Sequence, residues 1–146
     1  NLSWPEWRDG IRPVFKGMHF KKISKAKKDN SQANFKNYIN TIFEYSGTQR
    51  FWHYYPDIAL KDIQPADFIV KKGRKGHAVL IVDIAENSKG EKVALVGQGD
   101  TPACQFYLLK QSDGNPWFKI DPKSASPGLP IKKKMLWQGL RRFPSY

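Results

Sequence analysis

Gly76-His77-Ala78-Val79-Leu80-Ile81-Val82-Asp83 is the stretch that decides the fold. Ala78 to Val82 is a nearly continuous apolar run of strand length, the pattern of a strand covered on both faces. Asn87-Ser88-Lys89-Gly90 follows as a turn signal, and Val93-Ala94-Leu95-Val96 returns as the partner strand. Upstream, Phe68-Ile69-Val70 reads as a short strand that ends in the turn region Lys71 to Gly76. Downstream, Phe106-Tyr107-Leu108-Leu109 reads as one more strand. Before these strands, Phe35, Tyr38, Ile39, Ile42 and Phe43 fall at i, i+3, i+4, i+7 and i+8, the apolar stripe of a helix. Ser31 suits its N-cap and Gly47 its C′ position. One main helix followed by an antiparallel sheet meander is an α+β class.

The remaining segments carry weaker patterns. Residues 1–30 read as irregular, and Thr48 to Pro56 as an aromatic loop. Residues 110–130 read as a long loop, kept ordered by Trp117 and Phe118, and Met135 to Phe143 as a final strand or edge. Over 146 residues this amounts to a single domain, or to the C-terminal part of a longer one. The chain is 40% hydrophobic with a formal charge of +12, so it has the apolar surface for a core and is no disordered polycation. Residues 1–73 hold 13 Lys/Arg against 7 Asp/Glu and residues 74–146 hold 12 against 6, so no single basic tail carries the charge. Apolar runs are far shorter than a membrane span, and the first residues lack the apolar segment of a signal peptide. With Cys104 as the only cysteine, no intrachain disulfide and no cysteine-based metal site can form.

His77 opens a hydrophobic strand directly after a glycine-containing turn, a placement that presents an imidazole at a sheet end, where a general base could work. A hairpin turning near Ser88 and Lys89 pairs positions that sum to about 177, by antiparallel geometry. Gln98 then lies diagonally beside His77, where a carboxamide can fix the imidazole tautomer as the third member of a triad does. Asp83 and Asp100 are alternatives on that face and, with Trp117, candidate binding residues. Cys104 is the candidate nucleophile. Nothing after it reads as a helix that would lower its pKa, which favours a buried structural thiol. His19 and His53 show no metal-ligand spacing, and no phosphate-binding glycine motif or other cofactor motif occurs. Basic clusters at Lys21–Lys28, at Lys71, Lys72, Arg74 and Lys75, and at Lys132–Lys134 with Arg141 and Arg142 fit an anionic polymer, nucleic acid included, without any nucleic-acid motif.

Trp7, Gly10, Arg12, then Phe43, Tyr45-Ser46-Gly47-Thr48, then Asp67, Gly73, Gly76-His77-Ala78-Val79 and Asp83, then Gln98, Pro102-Ala103, Pro116-Trp117 and Arg142-Phe143 occur in a telling order. They resemble the C-terminal part of a bacterial domain-of-unknown-function family found in Bacteroides-type organisms. That resemblance implies an exported, often lipoprotein-like protein. It also implies a cysteine further upstream and a glutamine where this chain has Cys104. The Asp67…Gly76-His77 strand followed by a polar-ended strand is similar to the histidine half of NlpC-type, papain-like cell-wall amidases. Carried over, His77 is the base, Gln98 the orienter, the nucleophile lies outside this chain, and peptidoglycan is the expected partner.

Overall fold

A computed structural model describes residues 2–73, 75–100 and 104–144. The chain divides into two compact units, residues 1–50 and 51–146.

The first unit is not irregular at its start. Helix α1 (Trp4–Arg8) is closed by a capping box between Ser3 and Glu6. A hairpin of β1 (Ile11–Lys16) and β2 (His19–Ser24) follows, in register from Ile11–Ser24 to Lys16–His19. Gly17 supplies φ +59 at the turn. The hairpin escaped the sequence because β2 is almost wholly exposed and lysine-rich, so no apolar alternation marks it. Helix α2 (Gln32–Tyr45) begins at the expected cap, with the Asn34 amide donating to Ser31 Oγ at 3.2 Å, and its C-cap is Ser46, which leaves Gly47 at C′. Trp7 joins the pieces. Its Nε1 donates to the buried Asn34 Oδ1 at 2.8 Å, and the Arg12 guanidinium sits 4.1 Å from its ring centroid.

Charge holds the entrance to this unit. Lys22 Nζ donates to Glu6 Oε1 at 2.6 Å, and the Ser3 amide donates to Oε2 at 2.9 Å. The lysine first, then the amide, lowers the Glu6 pKa from the usual 4.5 to about 2. A carboxylate depressed in the folded state contributes stability above its unfolded pKa and loses it as pH falls through the folded one. Amide protection of the Ile11–Ser24 hairpin is therefore expected to weaken between about pH 4.5 and pH 2. Glu6→Gln should remove that part of the acid dependence in a hydrogen-exchange pH series.

Thr48 to Pro56 proves to contain helix α3 (Thr48–Tyr54), which runs from the end of the first unit into the second. Aromatic residues are mediocre helix formers, and packing outweighs that here. Phe51 and Tyr55, one helical turn apart, both pack edge-on against Phe68 and Phe143, at centroid distances from 4.9 to 6.0 Å. The strands are β3 (Phe68–Lys71), β4 (His77–Glu86), β5 (Lys92–Gln98), β6 (Tyr107–Leu108), β7 (Trp117–Ile120) and β8 (Leu140–Arg141). They form one antiparallel sheet in the order β6-β5-β4-β3-β8, with β7 also on β5. This is the expected α+β class, with three α-helices among the described residues where one main helix was read. β6 pairs with Gly97 and Gln98, and β7 with Lys92 to Leu95, so the two share the free edge of β5. The 110–130 loop thus contains a strand. Phe118 and Ile120 point inward at 4% and 6% exposure with Lys119 outward between them, an alternation hidden among prolines and glycines.

β4 has one buried face rather than two. Val79 and Ile81 are 1% and 0% exposed, whereas Leu80 is half-buried and Val82 is 37% exposed. The inner face joins Ile69, Val96, Phe118, Met135 and Leu140 in one apolar cluster. The β4–β5 ladder pairs Leu80 with Gly97 and Ile81 with Val96, the register expected, and then slips by one residue at a β-bulge. Beyond it, Asp83 opposes Leu95 and Ile84 opposes Ala94. β3 opens from a turn with Pro65 at its second position and Ala66 at φ +72 in the third, the Asp67 amide donating to Gln64 O at 3.2 Å. Asp67 is fully buried and receives two hydrogen bonds from Arg142, at 2.7 and 2.8 Å, and one from the Gln64 amide at 2.9 Å. Among the described residues, no helix is long and apolar enough to cross a membrane.

Candidate functional site

His77 is the first residue of β4, leaving a turn in which the Gly76 amide donates to Gly73 O at 2.9 Å. Gln98 is the last residue of β5 and only 2% exposed. The matched register brings the two together, with Nε2 of His77 2.5 Å from Oε1 of Gln98. The other end of the carboxamide is held as well, Nε2 of Gln98 donating to the Tyr107 hydroxyl at 2.5 Å. A carboxamide oxygen only accepts, so in this contact Nε2 of His77 is the donor and Nδ1 stays outside the bond. The arrangement is a half-buried histidine whose tautomer is set by a buried amide, and that amide is fixed in turn by a phenol.

Tyr107 was missed as a partner. Its signal was available in the same register reasoning, because β6 places Tyr107 directly opposite Gln98.

The other candidates do not join this group. Asp83 was expected on the face of His77. The bulge after Ile81 turns it to the opposite face, where it opposes Leu95 and its Oδ1 accepts from the Ile84 amide at 2.8 Å. Trp117 also opposes Leu95, so it shares that outer face with Asp83. It lines a groove of about 480 Å³ with Glu86, Asn87, Glu91, Gln111 and Asn115. Asp100 is exposed and lies past the last β4–β5 pair at Leu80–Gly97. Cys104 is exposed, not buried as expected of a structural thiol. Its sulfur accepts from the Asp100 amide at 3.3 Å, and no hydrogen bond joins it to His77. Pro102-Ala103, part of the resemblance, and Arg74, part of a basic cluster, lie outside the described residues. His19 begins β2 and His53 lies in α3. Among the described residues, no three His, Cys, Asp or Glu side chains gather as metal ligands would.

The basic clusters separate into free and committed cations. Arg141 is 3% exposed, bonded to Asp57 at 2.8 Å and stacked 4.4 Å from the Trp52 ring. Arg142 is bound to Asp67, which raises its pKa further above the ordinary arginine value. These two arginines are therefore committed to contacts within the second unit. In the first unit, Lys22 and Lys28 are paired with Glu6 and Asp9. Lys133 Nζ, by contrast, donates to the Lys75 carbonyl at 2.8 Å, so the Lys132–Lys134 segment lies against the β3–β4 turn. Lys71 is the direct cross-strand partner of His77.

A sheet-end histidine oriented by a buried carboxamide, on an antiparallel α+β scaffold, defines the class of site. The family follows from residues 1–131, which match the model of domain of unknown function 4846, and the chain belongs to that family. No curated protein and no solved structure shows significant similarity to it.

Proposed function

We propose that this chain supplies the base and the orienting residue of a papain-like cysteine amidase, acting on peptide or cell-wall amide bonds in an exported bacterial protein. The observation that carries the reading is the His77–Gln98–Tyr107 chain, which leaves Nδ1 of His77 as the free basic atom. In this reading Nδ1 takes the proton of a thiol, and the thiolate attacks the amide carbonyl carbon. The imidazolium then gives that proton to the departing amine. A water, deprotonated by His77, next releases the acyl group as a carboxylic acid and restores the thiol. Cys104 has no hydrogen bond to His77, so the proposal assigns the nucleophile to a cysteine outside these residues. The half-fold likeness to NlpC-type amidases belongs to the same proposal.

The test has two parts. In ¹⁵N spectra of the chain, His77 should be the Nε2–H tautomer, and Gln98→Leu should release that preference. A dominant Nδ1–H form in the unmodified chain would overturn the assignment. For the protein expressed in its own host, His77→Ala should lower peptidoglycan amide hydrolysis by roughly 10²- to 10⁴-fold. Cys104→Ala should leave it unchanged, and equal turnover in both variants would sink the reading.

The contact between Lys133 and the β3–β4 turn favours a second reading. In it the lysine surface binds an anionic polymer, either envelope glycan or nucleic acid, without catalysis. Binding of acidic glycan and of DNA across a salt series separates the two readings, because phosphate contacts give a steep logarithmic salt slope.

A further inference from the structure

We infer that the amide substrate of the His77 site carries a free carboxylate beside the bond to be cleaved, and that Lys71 binds it. This inference rests on the amidase reading above and adds the chemistry of the substrate. Lys71 and His77 are directly opposed across the β3–β4 ladder. Opposed residues share a face, with Cβ atoms about 4.5–5.5 Å apart. The four-carbon stem is long enough to bring the ammonium to the side of the imidazole.

Lys71 is exposed, and no described carboxylate pairs with it. The nearest acid along its strand, Asp67, is consumed by Arg142. Its lysine neighbours only add to the positive field. Lys72 is held 4.7 Å from the Trp52 ring centroid, and Lys133 is anchored on the Lys75 carbonyl. Lys75, Lys132 and Lys134 are exposed and likewise without a described acidic partner. The result is an uncompensated positive surface next to the histidine that Gln98 holds. A carboxylate gains a charge-assisted hydrogen bond there, while a neutral amide in its place gains only the weaker neutral one.

The experiment uses two labelled peptides that differ at one group next to the scissile amide, a side-chain carboxylate or its carboxamide. Binding is read by fluorescence anisotropy on the 146-residue chain, and hydrolysis on the host-expressed protein. The unmodified chain should bind the carboxylate peptide roughly 10- to 100-fold more tightly. Lys71→Met, which keeps most of the apolar stem, should abolish that preference, and Lys71→Arg should restore it. Circular dichroism confirms that each variant is folded. Equal binding of the two peptides overturns the proposal. So does a preference that survives in Lys71→Met, which would assign it to the lysine surface as a whole. Discrimination in binding without hydrolysis by any form removes the amidase and keeps the carboxylate site. Hydrolysis without discrimination removes the Lys71 site and keeps the amidase.

Discussion

Replacing Arg142 by alanine is expected to lower the stability of the second unit by about 3 kcal/mol, the low end of the range for removing one partner of a buried ion pair, because Asp67 is fully buried while the Arg142 side chain is 30% exposed. The cost arises at Asp67 rather than at the arginine. Asp67 is fully buried and accepts three hydrogen bonds, two of them from Arg142. Without the guanidinium, a carboxylate with one remaining amide donor sits in an apolar interior. It must draw in water, take up a proton or unfold its surroundings. Arg142→Lys should recover part of the loss, since one ammonium replaces a two-point fork imperfectly. Adding Asp67→Asn to Arg142→Ala should recover more, because it removes the charge that has lost its partner. Urea unfolding of the four forms measures this. A loss under about 1 kcal/mol for Arg142→Ala would mean that the carboxylate rehydrates at no cost, contrary to its complete burial.

Ile81→Ala is the second large effect, expected at roughly 2–5 kcal/mol for a fully buried isoleucine cut to alanine. Ile81 is 0% exposed, pairs with Val96, and exchanges hydrogen bonds with the turn before β3. Its amide donates to Asp67 O at 2.8 Å, and its carbonyl accepts from the Ala66 amide at 2.9 Å. These backbone bonds pin the residue beside the bulge, so the strand has little freedom to collapse into the space left behind. The loss should therefore fall in the upper half of the range. Ile81→Val, which removes one methylene, should cost about 0.5–1.5 kcal/mol. Similar losses for the two variants in thermal unfolding would show that the core closes over the cavity.

What the sequence disclosed followed from periodicity and short range. The stripe from Phe35 to Phe43 and the cap at Ser31 located α2, and the hairpin turn set a register that brought His77 to Gln98. What stayed hidden lacked a local pattern. β2 is too exposed to alternate, and α3 is held by aromatic contacts to Phe68 and Phe143 that no helix propensity encodes. The bulge after Ile81 adds one residue to a run that is apolar throughout, so the parity change that moves Asp83 to the other face leaves no trace in residue types. Arg142 and Asp67 are 75 residues apart, and pairing over that separation is a property of the sheet order. For the same reason, three lysine clusters of similar appearance differ in state. Only the folded chain shows that Arg141 and Arg142 are spent internally while Lys71 faces His77 unneutralised.

Gly97 gives the candidate base a dependence on the far side of its own sheet. A Cβ at Gly97 would stand 2.3 Å from the Phe106 ring, so the absence of a side chain is what seats that ring on the outer face. The next residue is Tyr107, and strand alternation turns it inward to hold Gln98. The outer aromatic contact and the inner hydrogen-bonded chain therefore come from adjacent residues, Phe106 just before β6 and Tyr107 at its start, so a shift of one is passed to the other. Anything that lifts Phe106, whether a bulkier neighbour or a ligand wedged against β6, would withdraw the phenol and leave the amide free to rotate. The setting of the imidazole would then be governed from the opposite face of the sheet.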